Sequence, residues 1–177
     1  MLNPTQAQIQ NEERVVAELA RLGVCYLSRQ SADPAGRQRA PKELLAELVC
    51  QPSSRVRTAV IALLLAHPGY SRHISSAIRM SSPERARILK IFYTAAMLLQ
   101  ALKATELSAF LGSRWKRLPD LFSVELDLGG YSPEERLDEL AQHHAKLTGE
   151  YLNWRGTYEH AVRNLLRQWE LEQQWNQ

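Results

Sequence analysis

Residues 81–111 read SSPERARILKIFYTAAMLLQALKATELSAFL, and this stretch decides the fold class. Ser81-Ser82-Pro83-Glu84 is a helix start. A hydroxyl caps free backbone N–H groups, proline fits the first turn, and a glutamate three residues after a serine can reach back to close a capping box. From Ile88 to Leu102 only Lys90, Thr94 and Gln100 interrupt the apolar run. A helix that is apolar nearly all round is predicted to be buried rather than to ride on a surface. A second break is expected at Thr105, before Leu107–Leu111.

Working outward, the same signals recur on both sides. A first helix fits Thr5 to Leu22, with Ile9, Val15, Val16, Leu19 and Leu22 at three- and four-residue spacings and Gly23 placed to end it. Residues 30–40, with Asp33-Pro34 and Gly36, read as a polar loop. Pro41 opens a short helix through Leu48. Ser53 or Ser54 caps the next, Arg55 to Ala66, which is apolar enough to be a core helix and is stopped by His67-Pro68-Gly69. Ser71 to Met80 is a further short helix. Residues 112–131 are irregular, punctuated by Gly112, Pro119, Gly129 and Gly130, and the alternation in Phe122–Leu128 permits one isolated strand, which cannot make a sheet. Ser132-Pro133-Glu134-Glu135 repeats the helix-start chemistry. The stripe Leu137, Leu140, Ala141, His144 and Leu147 follows it to Gly149. The last helix, Asn153 to Gln174, carries Trp154, Tyr158, Ala161, Val162, Leu165 and Trp169 on one face. The expected architecture is therefore all-α: one domain over residues 1–177, a compact, irregular or orthogonal bundle of about seven helices with short links.

At 177 residues and 45% hydrophobic content the chain can bury one full core. Its longest apolar run, Ala59 to Ala66, is far short of the roughly 20 residues a bilayer span requires, so no membrane partner is expected. Residues 1–13 lack a hydrophobic signal core. Cys25 and Cys50 have no metal-ligand spacing and read as buried thiols in a reducing, cytoplasmic setting. No glycine-rich phosphate loop, metal-ligand histidine pattern or nucleophile-elbow serine is present, so neither a cofactor nor a metal site is expected.

Net charge is +3, unevenly distributed. Residues 29–117 hold fifteen Lys and Arg against five acids, and residues 118–177 hold five against eleven. The basic middle either pairs with the acidic end inside one fold or offers a basic face to a partner.

Two groups of cations are the candidate binding residues. Arg55 and Arg57 follow Ser53-Ser54, and Arg85 and Arg87 follow Ser81-Ser82. The helix dipole disfavours cations there, so they either pair with acids or, with hydroxyls and free N–H groups, bind an anion. Arg114-Trp115-Lys116-Arg117 surrounds an aromatic ring with three cations. It either contacts phosphates and stacks on a base, or its tryptophan anchors a solvated loop.

Residues 41–66 resemble one HEAT repeat unit, a short helix, a proline-containing turn and a second helix beginning Val56-Arg57-Thr58-Ala59-Val60-Ile61-Ala62-Leu63. The resemblance implies helical hairpins acting as a scaffold for protein or nucleic acid, and transfers no site residue. Two segments resemble the arginine-to-histidine pattern of HEPN ribonucleases, Arg155 through His160 and Arg136 through His143. That family implies metal-independent RNA cleavage, with histidine moving a proton and arginine on the phosphate. With five His in the chain, such spacings also arise by chance about as often as they are found. At about 100° per residue Arg136 and His143 are nearly aligned, whereas Arg155 and His160 point roughly 140° apart. His144, on the apolar stripe, reads instead as a core histidine with one satisfied nitrogen. The leading expectation is a non-catalytic helical adaptor whose basic face binds a protein partner or a second copy. The alternatives are a sequence-tolerant nucleic-acid-binding protein and a HEPN-like ribonuclease of a toxin–antitoxin type.

Overall fold

The computed structural model describes residues 4–28, 36–150 and 152–176, and these hold helices and no strand. Nine α-helical segments run in the order α1 Pro4–Arg21, α2 Pro41–Leu48, α3 Ser54–Arg57, α4 Ala59–Ala66, α5 Ile74–Met80, α6 Pro83–Leu102, α7 Ala104–Leu111, α8 Pro133–Thr148 and α9 Trp154–Trp175. Two 3₁₀ turns, Pro68–His73 and Gly112–Arg114, fill gaps between them. The all-α expectation holds. The helix expected over Arg55–Ala66 is divided at Thr58, whose hydroxyl donates back to the Ser54 carbonyl at 2.6 Å. The expected polar loop over 30–40 falls partly outside the described residues.

Every residue of α4 is buried. With no polar side chain between Ala59 and Ala66, no face of this helix gains by meeting water, and each fully buried Leu, Ile or Val adds about 1.5–3 kcal/mol relative to exposure. Helices α6 and α9 both pack on α4, and α8 lies against α6 and α9. The buried apolar residues of these elements join those of α1 and α2 in one contiguous cluster.

Helix α6 starts one residue later than its serines suggest. Ser82 is the N-cap, because Pro83 takes the first helical position, and its Oγ accepts from the Arg85 N–H at 3.4 Å. Glu84 therefore stands one place too early to close a capping box, and Ser81 donates instead to the Ala77 carbonyl at 2.8 Å. In α8 the register is right. Ser132 Oγ accepts from the Glu135 N–H at 3.1 Å while the Glu135 carboxylate accepts from the Ser132 N–H at 3.0 Å.

The three polar residues inside α6 all have backbone or ionic partners. Thr94 donates to the Lys90 carbonyl at 2.8 Å, and Lys90 pairs with Glu125. Gln100 is buried and clamps the chain that follows α7: its Nε2 donates to the Lys116 carbonyl at 2.9 Å and its Oε1 accepts from the Leu118 N–H at 2.8 Å. Tyr93 Oη donates to the Pro119 carbonyl at 2.9 Å. These bonds lay residues 116–119 along α6. The helix break falls at Lys103 rather than Thr105, and the chain bends there by 92°. Phe122–Leu128 forms turns, with Leu126 N–H on the Phe122 carbonyl at 2.8 Å and Leu128 N–H on the Ser123 carbonyl at 3.0 Å. With no second strand to complete a ladder, local bonds satisfy its backbone.

His144 is the core histidine its stripe position implies. It stacks on Trp154 with ring centroids 3.6 Å apart, and its Nδ1 lies 2.7 Å from Tyr158 Oη. Burial, with a smaller contribution from Arg57, pushes the imidazole down to about 3. Among the described residues no single helix is long and apolar enough to cross a membrane.

Candidate functional site

A groove of about 920 Å³ is bounded by α1, residues 36–39, α2 and the α5–α6 junction. On α1, Arg14, Ala17, Glu18 and Arg21 fall at steps of three and four and so share one face. On α2 and the residues after it, Glu43, Ala46, Glu47 and Cys50 do the same. Residues 36–39 bring Arg37 and Arg39 between the two helices, and Arg85 enters from the first turn of α6. Five arginines thus face one hollow.

The three glutamates of the groove are each held by neighbours. Glu18 is 1% exposed, and it accepts from both the backbone N–H and a guanidinium N–H of Arg39 at 2.5 Å. Glu47 Oε1 accepts from Asn11 at 2.6 Å and Gln51 at 2.8 Å. Glu43 reaches back to the Ala40 N–H at 3.3 Å. By contrast Arg14, Arg37 and Arg85 are exposed and have no carboxylate within ion-pair distance among the described residues. Arg21 donates to the Arg37 carbonyl at 3.0 Å, its guanidinium lying against Gly36 where a Cβ would collide with it. Cys50 donates to the Ala46 carbonyl at 3.1 Å, and burial raises its thiol against the opposing pull of Arg85. This keeps the sulfur protonated rather than nucleophilic.

Of the candidate binding and catalytic residues read from the sequence, only Arg85 lines this groove. Arg87 is exposed on the next turn of α6. Arg57 turns inward, donating to the Gln51 carbonyl at 3.0 Å and the Pro52 carbonyl at 2.7 Å and pairing with Glu150 at 3.5 Å. Arg55 stays exposed and gives one N–H to the Tyr26 carbonyl at 3.3 Å. Trp115 is half-buried against the core, as an anchor is, while Arg114, Lys116 and Arg117 are exposed. The Gln100 clamp holds that loop near the C-terminal end of α6, fifteen residues from Arg85, which is about 22 Å along the helix axis. Arg85 and the 114–117 cations therefore lie in separate places.

Neither the arginine nor the histidine singled out on α8 lines the groove. Arg136 binds Asp120 at 2.8 Å. Desolvation acts to raise the Asp120 carboxyl, but the hydrogen bonds from Arg136 and Ser123 outweigh it and hold the group below its ordinary range. His143 is half-buried. In the second segment Arg155 binds Asp138 at 2.8 Å and Glu159 at 2.9 Å. Among the described residues no three His, Cys, Asp or Glu converge as a metal-binding group.

Sequence reasoning missed Arg14, Arg21, Arg37 and Arg39. Arg14 sits among acids in Glu12-Glu13-Arg14, so its local charge looks neutral, and Arg37 and Arg39 fall in a stretch read as a polar loop. Only the fold juxtaposes them. No protein-family model, curated protein or solved structure matches this chain.

Proposed function

We propose that this protein is a non-catalytic helical adaptor whose arginine-lined groove receives an acidic segment of a partner protein. One observation carries the reading: the groove's carboxylates are engaged by their own neighbours, whereas Arg14, Arg37 and Arg85 have no carboxylate partner among the described residues. Guanidinium forks match carboxylates bidentately, and clustered cations speed the approach of an acidic chain. A polypeptide suits the site better than a nucleic-acid backbone. Glu43 and Glu47 line the same groove, so its positive charge is interrupted, which suits the spaced carboxylates of a peptide better than an unbroken run of phosphates. The resemblance of residues 41–66 to a HEAT unit supports the same reading, since such units present helix faces to other chains.

The test is fluorescence anisotropy with a labelled glutamate-rich peptide and, in parallel, a labelled single-stranded RNA. Saturable peptide binding that weakens at least tenfold when Arg14, Arg37 and Arg85 are together changed to Gln fits the proposal, as loss of three charge-assisted contacts requires. Binding of RNA alone, insensitive to that triple change, defeats it and favours the nucleic-acid reading.

A further inference from the structure

A second, smaller cleft lies away from the groove and shares no residue with it. It encloses about 480 Å³ between one face of α9 and the chain around Tyr26 and α3. That volume lies in the range of small-molecule sites. Its lining divides by chemistry. Thr58 and Thr157 line it with their hydroxyls already committed, Thr58 to the Ser54 carbonyl at 2.6 Å and Thr157 to the Asn153 carbonyl at 2.8 Å. With their protons committed, they have no donor for an anion and offer it hydrocarbon, together with Ala161 and the ring of Tyr26.

Ser54 and Asn153 also line the cleft, and Arg55, His160 and Asn164 have donors to give. Arg55 uses one of its five N–H groups on the Tyr26 carbonyl and meets no carboxylate among the described residues. His160 and Asn164, one turn apart on α9, face the same cleft, and their side chains make no hydrogen bond among the described residues. No acidic residue among the described ones lines the cleft. A cation and two further polar groups thus stand around a lining that is apolar in part, with no carboxylate among the described residues to offset the charge. From this juxtaposition we infer that the cleft is a binding site for a small organic anion with an apolar body, its acidic head on Arg55, His160 and Asn164 and its body against Tyr26, Ala161 and the threonine methyls. The head is a carboxylate, sulfonate or phosphate ester, since each presents the acceptors that a guanidinium fork recognises. This inference stands independently of the acidic-peptide groove.

The experiment titrates anilinonaphthalene sulfonate, an apolar aromatic anion, into ¹⁵N-labelled full-length protein, reading fluorescence and amide shifts together. The expected result is saturable one-to-one binding with the largest shifts at Gly156, Thr157 and Ala161. Arg55→Gln should weaken it by about tenfold or more, as loss of a charge-assisted contact does, and Asn164→Ala by less. Arg85→Gln, in the other groove, should leave it unchanged. Inorganic phosphate separates head from body: at equal concentration it should displace the dye only weakly. Unsaturable fluorescence, shifts centred elsewhere, or equal affinity in the folded Arg55→Gln protein overturns the inference. Loss of acidic-peptide binding at the groove would leave this result untouched.

Discussion

At the scale of single residues, His144 and Gln100 show how a polar group is kept inside this core. His144 was legible as a core histidine because it shares a helical stripe with Leu140 and Leu147. Its partners were not legible, since Trp154 and Tyr158 come from the next helix. Gln100 appeared only as an interruption of an apolar run, yet both ends of its amide hold the backbone of Lys116 and Leu118. A buried imidazole has a consequence for pH. Its folded-state value is lowered to about 3, below the roughly 6.5 of an unfolded histidine. As pH falls the unfolded chain therefore takes the proton first. The stability contributed by neutral His144 is complete above the unfolded value and erodes toward the folded one, by up to about 1.4 kcal/mol per pH unit. Urea unfolding at pH 7 and pH 4.5 should show the wild type losing about 2 kcal/mol more than His144→Phe over that interval. Equal losses in the two proteins would mean that the histidine is not held neutral.

At the scale of elements, two nearly identical helix starts behave differently, and a proline explains why. Both sequences place serine before Pro-Glu, but proline occupies the first helical position, so the residue immediately before it must be the cap. For α8 that frame puts Glu135 third in the helix and the box closes. For α6 it puts Arg85 there, leaving Glu84 without the reciprocal bond. The element was legible and its cap register was one residue out. Ser132→Ala should lower stability by about 1 kcal/mol, in the usual range for a lost cap, whereas Ser82→Ala, with its long 3.4 Å bond, should cost less than half as much. Thermal unfolding of the two variants, with Glu84→Ala expected to be close to neutral, decides it. An equal drop in both serine variants would count against the difference in cap geometry. The turn at Phe122–Leu128 follows the same logic of local satisfaction, because alternation in sequence makes a strand only where another strand is present to pair with it.

At the scale of the whole molecule the question is where the excess positive charge of residues 29–117 goes. Segment totals allowed it to be neutralised by the acidic end. Among the described residues only Arg57 with Glu150 and Lys90 with Glu125 join those two segments, while Arg136 and Arg155 take Asp120, Asp138 and Glu159 within the acidic part itself. Totals cannot reveal this, because ion pairing depends on which helices touch. Among the remaining exposed cations, Arg37 and Arg85 belong to the groove, and Arg114, Lys116 and Arg117 to the loop clamped by Gln100 near the far end of α6. Two separated sets of cations should have separable binding. Whatever single-stranded RNA the protein retains at low salt is expected on the loop, where Arg114, Lys116 and Arg117 project around a half-buried Trp115. Changing these three to Glu should abolish that retention at low salt. Neutralising them to Gln should make the dependence of affinity on salt shallower by about 2 in log–log slope, since each phosphate contact contributes about 0.7 for single strands. Acidic-peptide affinity in the groove should hold within about twofold, because at physiological salt the screening length of about 8 Å is well short of the distance between the two sets. If the Glu variant instead changes peptide affinity as much as the Arg14, Arg37 and Arg85 substitutions do, the two sets act as one continuous face and the groove loses its claim to a partner of its own.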